Sequence, residues 1–514
     1  MRKRKKNFSG AKLFRMQKFI SKALALGIAM SFATSAKAED VESMIIDTTK
    51  PTTAFPHFWE HMFGSCRAVL SLRDGYRKDL DNTKRIVDIR YVRFHGIFHD
   101  DVGIYNEDAA GNPVYNWTYV DQIYDGLLDH GVRPFVELSF MPNKLAASSM
   151  PHSFWYKPNV SPPKSYEKWG ELIRAFTQHV VERYGIDEVS HWYFECWNEP
   201  NLDFWGGKPS EDTYYQLYDA TAKAVKSVNP RLSVGGPATA QAAWIDRFIA
   251  HCFNNKVPVD FVTTHVYGND SGPNVLGIST PVPRADMVAL AVRKVYDQVK
   301  ASPMPNLPII WSEYNAAYDN TQEITDSEYM GPWIANNISR CDGLQNDMSF
   351  WTFSDVFEEG GVAKTPFYGG FGLIAPSNIP KASFNAMAML HRLGEQRIPL
   401  DSKNALATTR GEGEIAVAVW NYVEPGTVGR TQTYRLRLDG KPIKTYTQQV
   451  LDAEHGSVLT KFKALGSPAF PSRAQHAELL NAAAPPAIQR INPAAPSEIT
   501  IQLAPNALAL LEIN

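Results

Sequence analysis

The chain of 514 residues is too long for a single hydrophobic core, so two domains are expected. Its 44% hydrophobic and 21% charged residues describe an ordinary globular protein, neither disordered nor membrane-spanning. A net charge of −2 argues against nucleic acid or an anionic membrane as the main partner.

The first residues are an address rather than fold. Arg2-Lys3-Arg4-Lys5-Lys6 opens a basic region that continues to Lys22, an apolar run from Ala23 to Ala33 follows, and Ala36-Lys37-Ala38 comes next. That order is the pattern of a secretory signal peptide. The run falls short of the about 20 apolar residues that a membrane anchor needs. Residues 1–38 are therefore expected to be a signal peptide cleaved after Ala38, with the mature protein exported to the periplasm or beyond. Export permits disulfides, but Cys66, Cys196, Cys252 and Cys341 show no paired spacing, and Cys196 in a strand suits a small buried thiol. The 13 histidines contain no HExxH and no Cys/His cluster, so no metal and no cofactor are expected.

Residues 39–54 carry a short extended piece, Val41 to Thr49, expected to complete a C-terminal sheet domain. The first candidate barrel strand is Phe58 to Gly64. Strands and helices then alternate: Lys78 to Arg90 reads as helix, Ile89 to Gly96 as strand, Trp117 to His130 as helix and Val132 to Phe140 as strand. Trp169, Leu172, Ile173, Phe176 and Val180 recur at helical spacing. The run His191 to Trp197 is a strand, stopped where Pro200 cannot donate to a ladder. Strands at Leu232 to Gly236, Phe261 to Tyr267, Ile309 to Glu313 and Met348 to Phe353 complete eight units. Eight alternating units predict an α/β fold, a (β/α)8 TIM barrel over residues 55–395. Beyond it, Ile415 to Trp420, Tyr434 to Leu438 and Ala507 to Ile513 are strand-like, with Pro/Ala-rich loops from Pro471 to Pro496. Residues 396–514 are expected to form an antiparallel β-sandwich.

Two strand ends bear carboxylates. Phe194-Glu195-Cys196-Trp197-Asn198-Glu199-Pro200-Asn201 ends one strand, and Trp311-Ser312-Glu313-Tyr314-Asn315 ends another 114 residues later. A glutamate after a strand is usually a solvated rim charge. A Trp-rich strand broken by Asn-Glu-Pro, paired with Trp-Ser-Glu-Tyr-Asn, is far more specific. Such barrels keep their chemistry at the C-terminal ends of their strands, and two carboxylates there are the machinery of glycoside hydrolysis. Glu199 as general acid needs a raised pKa. Glu313 must stay ionised, which a hydrogen bond from Tyr267 or an arginine such as Arg93 would secure. Asn198 is either a strand-end cap or a ligand for a sugar hydroxyl. His265 lies on the reactive face, Trp351 is either core or the floor beneath a sugar ring, and the Glu358-Glu359 run is either solvated or sugar-binding.

These residues resemble glycoside hydrolase family thirty-nine. The likeness extends from the two glutamate motifs to Arg93-Phe94-His95-Gly96 with Asp100-Asp101, to Thr264-His265-Val266-Tyr267 and to Phe350-Trp351-Thr352-Phe353-Ser354-Asp355. It spans roughly residues 55 to 395. The resemblance implies a retaining barrel glycosidase with Glu199 as acid/base and Glu313 as nucleophile. It implies sugar contacts from Asn198, His265, Tyr267, Trp351 and Glu358, with His95 and Arg93 beside them. It is nearest the family's bacterial β-xylosidases rather than its α-L-iduronidases, so the expected reaction is release of β-D-xylose from xylo-oligosaccharides or β-xylosides. Tyr368 and Tyr314 stand where many members carry His and Phe, which bears on substrate choice. The alternatives are action on another glycoside, or a non-catalytic carbohydrate-binding barrel. The expected partner is a carbohydrate, with no nucleic acid and no membrane.

Overall fold

The computed structural model describes residues 41–411 and 413–513. The signal sequence expected over residues 1–38 lies outside them. Eight parallel strands close into a barrel: β1 (Met62–Arg67), β2 (Tyr91–His95), β3 (Arg133–Leu138), β4 (Tyr193–Cys196), β5 (Ser233–Thr239), β6 (Phe261–Tyr267), β7 (Ile309–Asn315) and β8 (Asp347–Phe350). Each strand pairs with its neighbours in sequence, and β8 returns to β1 through Phe350 and Phe63. Amphipathic helices such as Tyr166–Tyr184 and Ser210–Val228 bury one face on the outside of the barrel, with Trp169, Phe176, Tyr214 and Leu217 in its core.

Several strand bounds differ from the sequence reading, and two of the differences have a clear local cause. The first begins at Met62 rather than Phe58, because the Phe58 and Glu60 amides donate back to Pro56 and His57 in a turn. The fourth stops at Cys196, because Trp197 and Glu199 turn into the left-handed region with φ of 70° and 43°.

In the C-terminal region, antiparallel pairs such as Glu414–Trp420 with Leu508–Ile513 build a seven-stranded sheet. Gln432–Asp439 and Glu498–Leu503 pair antiparallel in a three-stranded sheet, and Val41–Asp47 joins its other edge in parallel. Tyr434, Leu436, Val417 and Leu511 share the core of this region. The stretch read as Pro/Ala-rich loop contains a helix, Arg473–Ala482, held at its start by a capping box between Ser472 and Gln475. Among the described residues the four cysteines are buried and unpaired, and no helix is long and apolar enough to cross a membrane.

Candidate active site

The exits of the barrel strands surround a cavity of about 260 Å³ whose lining includes Asn198, Glu199, Tyr267, Glu313 and Trp351. Its floor is a layer of charge. Arg93 on β2 is fully buried: its Nε donates to Glu195 Oε2 at 2.6 Å, and Nη1 donates to Glu313 Oε1 at 2.8 Å. Its Nη2 donates to Asn198 Oδ1 at 2.9 Å and lies 2.7 Å from Glu137. One guanidinium fork thus ties together β2, β3, β4 and β7. A planar fork with five donors is the side chain able to do this. Burial opposes the charge of His95, but the Glu137 carboxylate at 2.7 Å outweighs it and pushes the imidazole pKa up to about 10. Two cations, Arg93 and His95, therefore face the carboxylates of Glu137, Glu195 and Glu313.

The two glutamates at the mouth have unlike surroundings. Glu313 receives Arg93 on one oxygen and the Tyr267 hydroxyl on the other at 2.6 Å, both donors to its anion. Glu199 receives no such donor pair. Burial, the largest influence, pushes its carboxyl up to about 7; His95 and Arg93 oppose this, and the charges of Glu137 and Asp203 add to it. Its backbone sits in a region that L side chains rarely adopt, which costs of order 1–3 kcal/mol and persists only when the surroundings impose it. The surroundings do so: the Glu199 amide donates to Ala238 O, and Trp197 Nε1 donates to Phe204 O.

A chain of hydrogen bonds continues from Glu199. His265 Nδ1 lies 3.0 Å from Glu199 Oε1, and its Nε2 lies 3.1 Å from Ser312 Oγ. Ser312 donates its single proton to Glu195 Oε1 over 2.6 Å, the shorter contact and the one to a carboxylate. It can then only accept from His265 Nε2. Burial pushes the His265 pKa down to about 4, so the ring is neutral and Nδ1 is left as an acceptor. Below about pH 7 the group that donates to it is the protonated carboxyl of Glu199. A register shift between Thr264 and His265 in β6 places His265 opposite Glu313 rather than Ser312.

The structure distributes the expected site residues unevenly. Asn198, Glu199, Tyr267, Glu313, Trp351 and His95 line the cavity. Arg93 and His265 lie beneath it with no exposed surface, Arg93 engaged by the carboxylates it bridges and His265 by Glu199 and the Ser312 hydroxyl. Glu358 also departs from expectation: Arg67 at 2.8 Å and Arg73 at 2.6 Å draw it away from the cavity. Its neighbour Glu359 lines the cavity instead, 3.5 Å from His95. Tyr314 points outward against Trp333, away from any ligand. Sequence reading missed Glu137 and Ser312, and did not give Glu195 a role. The available signal was charge or hydroxyl inside an otherwise apolar strand, since such a group must face a partner. The Trp351 ring packs against β1 at Gly64, where a Cβ would stand 2.2 Å from it.

Two groups of described residues bring three ligand-type atoms within 4.8 Å of one another: His57, Glu60 and His391, and the Glu199, His265 and Glu313 set. In both, hydrogen bonds already engage these atoms. The second set also places the nearest oxygens of Glu199 and Glu313 within 4.8 Å.

A closed β/α barrel with two glutamates in unlike surroundings converging at its mouth defines a glycosidase. The model of glycosyl hydrolases family 39 matches residues 43–496, and the chain belongs to that family. It is 38% identical over 474 residues to a β-xylosidase of Geobacillus stearothermophilus, covering 89% of this chain and 93% of that protein. A crystal structure of a monomeric β-xylosidase from Caulobacter crescentus CB15 superimposes with a TM-score of 0.83 at 32% identity, covering 92% of this chain and 99% of that one. An α-L-iduronidase of Canis lupus familiaris is 25% identical over 276 residues, 49% of this chain and 40% of that protein.

Proposed function

We propose that this enzyme is a retaining β-xylosidase that releases β-D-xylose from the non-reducing end of xylo-oligosaccharides or β-xylosides. The observation that carries the mechanism is the approach of Glu199 and Glu313 to within 4.8 Å. Retaining enzymes hold their carboxyl groups about 5–5.5 Å apart, whereas inverting ones leave about 6.5–9.5 Å for a water. The Glu313 carboxylate attacks the anomeric carbon as the bond to the leaving oxygen breaks, and Glu199 gives its proton to that oxygen. Water then attacks the same carbon, Glu199 takes a proton from it, and the bond to Glu313 breaks.

The xylose reading is supported by the names of the similar proteins and by the cavity. Its size suits a chain end rather than the middle of a polymer. Trp351, Tyr267 and Phe371 supply aromatic walls. Phe353 packs on Tyr76 in the core. Export of the mature chain is part of the same proposal and rests on the order of residues in 1–38; N-terminal sequencing of the secreted protein should then begin at Glu39. The reaction is tested with aryl β-D-xylosides, β-D-glucosides, β-D-galactosides and α-L-arabinosides, with NMR detection of the first anomer released. An α-xylose first product would overturn retention, and a preferred glycone other than xylose would overturn the substrate.

A further inference from the structure

The cavity has two unlike flanks. Glu313 and His95 belong to β7 and β2, and Trp351 and Glu359 follow β8, which groups the nucleophile with the glycone walls. Glu199, Gln241 and Asp270 follow β4, β5 and β6, three adjacent strands of the barrel. Given the proposed roles, the acid/base side is where the leaving group departs.

That second flank is built around a buried carboxyl group, Asp270, whose pKa burial pushes up to about 7 against the hydrogen bonds it accepts. Asp270 is 8% exposed and faces the cavity. Its Oδ2 accepts the Tyr267 amide at 2.7 Å, while Oδ1 has only the long 3.3 Å contact from Gln241 Nε2. Gln241 is presented by a left-handed backbone with φ of 61° and held by Asn274, whose Nδ2 donates to its Oε1 at 3.0 Å. The adjoining Ala240 is clamped to the Glu199 loop, exchanging hydrogen bonds with the Asn201 side chain at 2.9 and 3.0 Å. Among the described residues nothing takes the second Nε2 hydrogen of Gln241. An acceptor and a donor, both incompletely used, therefore face the cavity side by side. Tyr318, 57% exposed, and Leu202, 39% exposed, wall the same end.

We propose that Gln241 and Asp270, walled by Tyr318 and Leu202, form the leaving-group subsite and that its occupant is a neutral sugar. This rests on Glu199 being the acid/base. A hydroxyl pair supplies the donor that Asp270 lacks and the acceptor that Gln241 lacks, while the apolar face of the ring covers Tyr318. An apolar leaving group would strip water from both polar groups and replace none of their hydrogen bonds, which is costly. Above about pH 7 a uronic acid would set a second carboxylate against Asp270.

The test compares kcat/KM for xylobiose with kcat/KM for 4-nitrophenyl β-D-xyloside in the wild type, Asp270→Asn, Gln241→Ala and Tyr318→Ala. The ratio of xylobiose to aryl xyloside should fall at least about tenfold in Asp270→Asn and several-fold in Gln241→Ala, the loss expected when hydrogen bonds to a buried polar group are removed. Because Asp270 also holds the Tyr267 amide, a merely structural role would lower both substrates in step, and an unchanged ratio overturns the inference. Should Asp270→Asn fail to fold, the ratios for Gln241→Ala and Tyr318→Ala decide it on the same terms. Wild-type enzyme active on the aryl xyloside but not on xylobiose also overturns it. Activity on neither substrate overturns the xylose reading, and this inference with it.

Discussion

Nδ1 of His265 lies 3.0 Å from Oε1 of Glu199, and the opposite ring nitrogen is committed to Ser312. The imidazole therefore offers Glu199 a lone pair, not a proton. A neutral acceptor at that position favours the protonated carboxyl, the form a general acid needs before the glycosidic bond breaks.

The first consequence is the pH dependence. With the Glu199 pKa raised to about 7, its proton is held below that pH and lost above it. The profile of kcat/KM, which reports the free enzyme, should fall as pH rises through about 7. Glu199→Gln should erase this basic limb for a dinitrophenyl xyloside, whose leaving group needs no proton. Persistence of the limb in that variant would assign it to another group.

Ser312→Ala tests the chain itself. Without the serine oxygen, His265 Nε2 has no acceptor and the ring is free to carry its proton on Nδ1. It would then donate to Glu199 and favour the anion. The basic limb should move down by up to about one pH unit, equivalent to roughly one hydrogen bond. No movement, or a rise, would disprove the tautomer assignment.

Glu313→Ala should lower turnover by roughly 10⁴-fold or more, as loss of a covalent nucleophile does elsewhere. Azide fits the vacated space and should restore cleavage, giving α-xylosyl azide, the inverted configuration. A β-azide would instead make Glu313 the acid/base.

Gly64→Ala places a methyl where only 2.2 Å separates it from the Trp351 ring, so the ring must move. Every carboxylate stays in place. A displaced sugar platform should cost about 10- to 100-fold in kcat/KM, the scale of a misplacement near 1 Å. Circular dichroism should show the fold intact; full activity would mean that Trp351 does not position the sugar.

Xylose lacks the hydroxymethyl group at C5 that glucose carries, and rigid aromatic walls exclude such a group better than flexible ones. Matched aryl xyloside and glucoside should differ by at least about tenfold in kcat/KM, the low end for one small group against a hydrophobic wall. Equal efficiencies would show the C5 side of the cavity to be open.

Much of this was written locally in the chain. Period and punctuation placed the barrel strands, and β6 coincides with the predicted Phe261 to Tyr267. Asn-Glu-Pro after a Trp-rich strand marked Glu199, and the Tyr267 and Arg93 bonds to Glu313 follow the expectation that an anion at that position needs donors. Those signals are legible because strand alternation and chain-breaking residues act over a few neighbours.

Other features required the closed barrel. Sequence could not decide that Arg93 and His265 would lie beneath the cavity, or that Glu359 rather than Glu358 would reach it. Which of two consecutive side chains points inward depends on partners such as Arg67 and Arg73 from elsewhere in the chain. The same holds for Gln241 and Asp270, which follow different strands and meet only because β5 and β6 pair. A single register shift at Thr264 and His265 decides what the histidine faces. Register and closure are long-range properties, set by the packing of the whole barrel rather than by any one stretch of it.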